Sequence, residues 1–587
     1  MEAIAFRIGS SKIALSDEGL VITTFRRYWT ARQWALLVNV ISQLMMAGLM
    51  WIKTPSASTA RTSPSIVHET PLPRYKDMRI EGVSALMYGL MIPTNHSLRK
   101  LFEVFPWHEL DIECAAVYKN QEHGAPAYPP QVLFRIMLLM FYSGTPFESA
   151  TLQRLETDVA WRWFAGLSLF RPVPNAGTLN RFRGRLKVEL FESIFVKLLK
   201  ACDEAGLVGH IKSYYDMTGV EASATQATPY QRAVILAKML SVYLDQEQGG
   251  VGVISKEQIA AIVLEVLQEK HPSLKKVEAA QIVSSQERLE EKLGQPDKDK
   301  PHWWQRMWQG IKDFRNQLTE TPVNIADHVR DVAHALVSSL PQAFGDPDAA
   351  VGHTRTNGTF CGYKSGFLVD AKRWIITVVI FVALNKPEAP TVVEALGKYH
   401  TTFECYPDEL GLDSAFDRDE VHVETERHGI YSGVTVRSRP GPKGVYHADA
   451  FVWNEQEELV CPNGKVMEKV AGPYKNGTDR YRSTMDCAQC PRFQQCMTEK
   501  QRQKKKPCRE LTTCTAAHQR AQRNRERSRS SQGRALRKQR FASEGVFGHL
   551  NTYHNGDKAP YRDGDMNYIA QLMVAFVSNL EKLAAYA

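Results

Sequence analysis

Three carboxylates in this chain sit where they could do chemistry. Asp216 and Asp413 each come at the end of a strand-like run, HIKSYYD and PDELGLD. Carboxylates at the ends of adjacent strands can point into one pocket, and hard cations such as Mg²⁺ take carboxylate oxygens. Two such ions about 3.5–4 Å apart can activate a nucleophile and stabilise a leaving oxygen in phosphodiester chemistry. Glu544 lies in RALRKQRFASEGVFGHLN, where Arg537, Arg540, Glu544, Phe547 and Asn551 recur at helical spacing. That stripe puts Arg540 and Glu544 on one face. The plain alternatives are turn or cap roles for each Asp and a surface ion pair for Arg540 and Glu544. Asp370, at a hairpin turn, is read as structural.

Cysteines form a second constellation. Cys461, Cys487, Cys490 and Cys496 run C-x25-C-x2-C-x5-C, with Cys508 and Cys514 as alternates. The C-x2-C pair is a chelating knuckle, and a tetrahedral structural Zn²⁺ site needs two more thiolates. Reduced, metal-free thiols are the alternative. Cys114, Cys202, Cys361 and Cys405 are isolated and read as small buried apolar residues. Ten cysteines in 587 residues exclude a disulfide-stapled fold and suit a reducing cytoplasm.

The elements that must position these groups are spread along a chain too long for one core. Residues 1–75 read as an extension and linker dispensable for chemistry. Their uncharged run Trp34–Ile52 carries Asn39, Ser42 and Gln43 in its middle, so either an accessory helix or translated upstream DNA is expected there and membrane association is not. Residues 78–205 read as a helical domain. Thr178 is its N-cap candidate, and Arg181, Arg183 and Arg185 follow at the start of a recognition-like helix for DNA. A packed bundle with ordinary surface arginines fits equally. An α/β core is expected over 206–228 and 343–460. A helical insertion, 229–342, should leave the strands on either side adjacent. It holds Trp303, Trp304 and Trp308, read as packing residues. Residues 461–533 are Cys-rich and then basic, and 534–587 are helical. The whole chain is net +9, yet residues 500–540 hold 15 Lys/Arg and two acids, so the remainder is net negative. That segment, with Lys504, Lys505 and Lys506, suggests a polyanionic partner held without sequence reading. No Walker A or G-x-G-x-x-G run occurs, so no nucleotide cofactor is expected.

The ordered series NAGTLNRFRGRL, DMTGVEAS, DPDAAVGH, TFCGYKSGFLVD, LDSAF, RFASEGVFGHL and MNYIAQLMVAFVSNLEKL resembles bacterial insertion-sequence transposases of the DDE class. The resemblance covers about 78–583. It implies an α/β fold with an RNase H-like mixed sheet and flanking helices, a helical N-terminal domain, and a small zinc-ribbon-like Cys region. Asp216, Asp413 and Glu544 would hold two Mg²⁺ ions, with Mn²⁺ able to substitute. Arg540 would contact a phosphate or orient Glu544. The implied partners are duplex DNA with terminal inverted repeats, target DNA, and further copies of the chain assembled on DNA at the bacterial nucleoid. The implied reaction is metal-dependent strand cleavage and strand transfer. Two positions depart from the family set Y-x2-R-x3-E-x6-K. Arg537 stands where Tyr is usual, and Asn551 where a phosphate-holding Lys is usual. A decayed or repurposed DNA-binding protein is the alternative reading.

Overall fold

The computed structural model describes residues 4–8, 11–16, 19–22, 73–120, 123–246, 254–293, 325–337, 340, 342–354, 358–436 and 445–586. The chain divides into two units, Met1–Pro71 and Leu72–Ala587. In the first, β1 (Ile4–Ile8), β2 (Ser11–Ser16) and β3 (Gly19–Ile22) form an antiparallel meander. The Trp34–Ile52 run lies outside the described residues, as do Trp303, Trp304 and Trp308. The second unit begins before the expected residue 78. Tyr75 bridges to Ala127, and its hydroxyl donates to the Asp111 carbonyl at 3.0 Å.

Helices fill residues 82–204. The helix Pro130–Tyr142 opens on proline, whose fixed φ and missing N–H suit a first turn. The long helix Ala176–Glu204 is capped by Asn175, whose side chain accepts from the Thr178 N–H at 2.8 Å. Thr178 is therefore inside the first turn and not the cap. The helix breaks at Lys187 (φ 54°), so its two halves point differently. Arg183 lies in the first half and is buried. It pairs with Glu148 at 2.8 Å, donates to the Tyr561 hydroxyl at 2.7 Å, and stacks on that ring.

The central sheet contains β4 (Lys212–Ala222), β7 (Ala350–Thr354), β8 (Gly358–Asp370), β9 (Ile375–Ala383), β10 (Glu409–Leu412) and β11 (Tyr431–Val434), after two short strands β5 (Thr225–Gln226) and β6 (Ala343–Phe344) that pair with each other. The order is β11-β10-β4-β8-β7, with β9 also on β8. β10 and β11 run parallel to β4, and β8 runs antiparallel to it. The β-branched run IITVVIFVA makes β9 a strand buried through most of its length. Helices Ala389–Phe403 and Asp419–Arg427 pack on one face over Leu396, Leu410 and Val421.

Between β4 and β8, helices Pro229–Gln246, Lys256–Gln268, Ala279–Leu293 and Ile325–Val337 bury a separate core around Leu236, Leu240, Val263, Leu267, Ile282 and Val329. β4 and β8 still pair directly, from Ser213 opposite Asp370 to Glu221 opposite Gly362. A Cβ at Gly362 would stand 2.1 Å from the Val220 carbonyl oxygen, so this pairing requires glycine there.

The Cys-rich unit starts earlier than residue 461. β12 (Val452–Trp453) and β13 (Leu459–Val460) join β14 (Val466–Ala471), β15 (Asp479–Ser483) and β16 (Glu510–Thr513) in one antiparallel sheet. Helices Thr515–Arg529 and Ser531–His554 follow, then β17 (Lys558–Ala559) on β4 and the helix Gly564–Tyr586. That last helix is apolar nearly all round and correspondingly buried. Phe576 meets Phe105 and Phe134 from the helical domain, while Asn579 bonds both backbone groups of Ile376 on β9 (2.9 and 2.7 Å). The helical domain and the sheet thus share one core.

Arg183→Ala should lower stability by about 3 kcal/mol, because Glu148 would lose its partner in a largely buried setting. Arg181→Ala, at an exposed position on the same turn, should change it by less than about 0.5 kcal/mol. Urea denaturation of both variants checks this contrast.

Candidate active site

Asp216 is mid-strand, not at a strand end. β10 pairs with β4 only as far as Leu412 opposite Tyr215. Beyond that point β4 runs on against β8, so Asp216 stands where the neighbouring strand has stopped. Asp413 is the next residue of the stopped strand, in matching register. Its side chain accepts from the Ala415 N–H at 2.7 Å and caps the short turn Ser414–Phe416. Parallel neighbours in register put both aspartates on the same side of the sheet.

Glu544 comes from the helix Ser531–His554, which packs over this edge through Leu536 against Gly411 and Gly433. Arg540, one turn earlier, links the pieces. Its guanidinium donates to Asp216 Oδ2 at 2.8 Å and approaches Glu544 Oε1 at 3.2 Å. Asp216 is about one-fifth exposed and Glu544 about half.

The electrostatics follow from that crowding. Burial pushes the Asp216 carboxyl up to about 6, with Asp413 and Glu544 adding repulsion. The Met217 N–H and the Arg540 charge oppose the rise without cancelling it. A carboxylate held among two others in a poorly solvated corner is one that a cation stabilises.

Other expected site residues are distributed differently. Asp370 is buried and accepts from the His210 and Lys372 N–H groups (both 2.9 Å), a structural turn. Arg183 is spent on Glu148 and Tyr561, so it is withdrawn as a DNA contact. Arg181 and Arg185 are exposed, with Arg185 over the Tyr118 ring. Arg537 bonds the Ser528 and Gly533 carbonyls, which secures the joint between two helices. Asn551 lies two turns beyond Glu544 on the same helix.

The basic segment 500–540 is mostly folded, not a free tether. Arg520 pairs with Asp419, Arg523 and Arg527 with Glu426, and Arg525 with Asp449. Much of its arginine charge therefore fixes the helix Thr515–Arg529 to the helix Asp419–Arg427. Lys504, Lys505 and Lys506 remain exposed in a turn.

Cys461, Cys487, Cys490 and Cys496 line one cavity of about 20 Å³. Burial pushes the Cys496 thiol up to about 11; Arg509 counters this, and the other three cysteines add to it. Cys508 lies against Cys487. Cys514 instead precedes the helix Thr515–Arg529. Cys114 and Cys202 are buried apolar-like thiols, each pushed up to about 12 by burial.

Two stretches of this scaffold match known families. Residues 87–185 match a transposase domain (DUF772), and residues 460–584 match a transposase DDE domain. Both matches support an insertion-sequence DDE transposase. The first match contains Thr178, Arg181, Arg183 and Arg185 of the transposase. The second contains the cysteine cluster, Arg540, Glu544 and Asn551. Asp216 and Asp413 lie outside both. No curated protein and no solved structure matches the chain.

Sequence reasoning missed a third group, His549, His554 and Glu581. The histidines are five apart and the glutamate is on another helix, so no metal-binding spacing shows. It also gave no role to Asp346, which is buried, accepts from Tyr363 at 2.7 Å, and helps seat the last helix through Asn567.

A raised carboxyl pKa means the folded state favours the protonated form, so stability falls as pH rises from about 4 to about 6. In chelator, Asp216→Asn should therefore be more stable than the parent at pH 7.5, by on the order of 1–3 kcal/mol. The gain should vanish below pH 4. Melting curves across pH check both halves.

Proposed function

We propose that this transposase cuts and joins DNA at the ends of an insertion sequence with Asp216, Asp413 and Glu544 as its metal-binding carboxylates. The observation that carries the reading is the Asp216–Arg540–Glu544 linkage beside Asp413, which gathers groups from two strands and a distant helix. The sheet order β9-β8-β4-β10-β11, with the first three antiparallel and the rest parallel to β4, supports an RNase H-like core.

The donor set suits two Mg²⁺ ions, or Mn²⁺ in their place. It is all carboxylate oxygen, and burial, with repulsion from Asp413 and Glu544 added, raises Asp216. When bound, such ions supply Lewis-acid activation and charge stabilisation for in-line displacement at phosphorus. The chain's own residues do the positioning. β4 and β10 fix the two aspartates in register. Arg540 neutralises Asp216 and Glu544, and with that charge met by bound cations its guanidinium would be available to hold a phosphate. The exposed Lys504–Lys506 turn would track the DNA backbone near the cut. Arg181 and Arg185 would meet the element ends. The four-cysteine cavity suits a structural Zn²⁺, since its lining supplies four soft ligands in a small fold with little apolar core. Self-assembly on paired ends and capture of target DNA complete the proposal.

Asp413→Asn and Glu544→Gln should each cut Mg²⁺-dependent cleavage of an element-end duplex by roughly a thousandfold or more while binding persists. Binding without cleavage by the parent chain would favour the decayed reading. Neutralising Lys504, Lys505 and Lys506 should flatten the salt dependence, equally for all DNA, its slope falling by about 0.9 for each phosphate no longer neutralised. Arg181→Ala should cost specific ends about 1–3 kcal/mol more than random duplex. A salt titration of both variants on both DNAs reads the difference.

A further inference from the structure

We infer that His549, His554 and Glu581 form a Zn²⁺ site separate from the carboxylate centre and from the cysteine cluster. His549 and His554 lie at the end of the Glu544 helix, and Glu581 lies on the helix Gly564–Tyr586. The His549 and His554 Nε2 atoms are 3.3 Å apart. Glu581 Oε2 is 3.4 Å from His554 Nε2 and 3.6 Å from His549 Nε2. Three ligands at about 2.0–2.1 Å from a tetrahedral zinc stand about 3.3–3.4 Å from one another. An octahedral Mg²⁺ at similar bond lengths would draw them to about 3 Å, and Mg²⁺ favours oxygen over imidazole. The spacing and the ligand chemistry both favour zinc over Mg²⁺.

The surroundings prepare the ligands. His554 is buried, and its Nδ1–H donates to the Phe141 carbonyl at 3.0 Å. That bond fixes the tautomer and turns the Nε2 lone pair toward the triangle, as an outer-shell partner does for a metal-bound histidine. The neighbouring Lys582 ammonium is engaged by the Trp374 carbonyl and does not occupy the triangle. Space for the joint depends on Gly144, where a Cβ would stand 2.6 Å from the Tyr553 carbonyl oxygen. His549 is partly exposed, which gives the ion an entry path and leaves a fourth position for water.

A zinc here would fasten three helices at one point: Pro130–Tyr142 through Phe141, the Glu544 helix through its histidines, and the last helix through Glu581. These three are positioning residues for Glu544 and do not touch the reacting atoms.

The test uses the full chain, saturated with Zn²⁺ and freed of excess metal, with zinc counted by plasma mass spectrometry. His549→Asn and Glu581→Gln should each carry one zinc fewer than the parent. In both, the zinc-induced rise in melting temperature should shrink. Co²⁺ titration with Mg²⁺ in excess to fill the carboxylate centre should show the parent binding one more ion without thiolate charge-transfer absorption than either variant binds. Should Glu581→Gln misfold, the partly exposed His549→Asn and the parent Co²⁺ spectrum decide alone. Equal zinc content in parent and folded variants, or a parent spectrum with only thiolate-bound cobalt, would overturn the assignment and leave a hydrogen-bonded His–His–Glu cluster.

Discussion

The arrangement rests on the register of one strand. β4 is paired on one edge by β8 along most of its length and on the other by β10 only to Tyr215. Where β10 stops, a notch opens in an otherwise closed ladder, and Asp216 and Asp413 face it from its two sides. A slip of one residue would turn Asp216 to the opposite face, into the packing of the sheet. The glycine at 362 and the close seating of Leu536 on Gly411 and Gly433 guard against that slip, because each admits the neighbouring strand or helix at only one place.

Charge is then managed by proximity. Arg540 answers two of the three carboxylates, and the acids of the helix Asp419–Arg427 answer the arginines of the helix Thr515–Arg529. The second set sits on the surface, where single pairs are worth little, but several together define how the two helices lie. The protein's formal positive charge is therefore a poor guide to where a polyanion would dock. The exposed lysine turn and the exposed arginines near the kink are better guides than the summed charge of the segment.

Local sequence carried the elements further than it carried the partners. β8, β9 and the helices flanking β10 were legible because β-branched runs and helical spacing act over a few residues. The two carboxylate strands were legible as well, but the continuation of β4 past Asp216 was not. It depends on β8, which lies across a long insertion. The same holds for Arg183. Its helical position reads as surface, and only Glu148 and Tyr561, 35 and 378 residues away, make it interior. Thr178 reads as the cap until Asn175, three residues earlier, is seen to offer an equally good oxygen. The sheet β12–β16 escaped notice because its strands are short and partly charged. The Cys487–Cys490 pair was legible from its C-x2-C spacing, whereas which other cysteines join it depends on the fold. The His549–His554–Glu581 triangle was not, since it arises only when two helices cross.

The short ribbon β5–β6 has a kinetic consequence. It clasps the two ends of the helical insertion, Thr225 against Phe344 and Gln226 against Ala343. Closing a loop costs entropy that grows with the logarithm of its length, so β4 and β8 would meet slowly if everything between them were unstructured. An insertion that buries its own core first, and brings its ends together as it does so, converts that distant encounter into something close to a hairpin. The module thereby shortens the effective loop that β4 and β8 must close beside the Asp216–Asp413 notch.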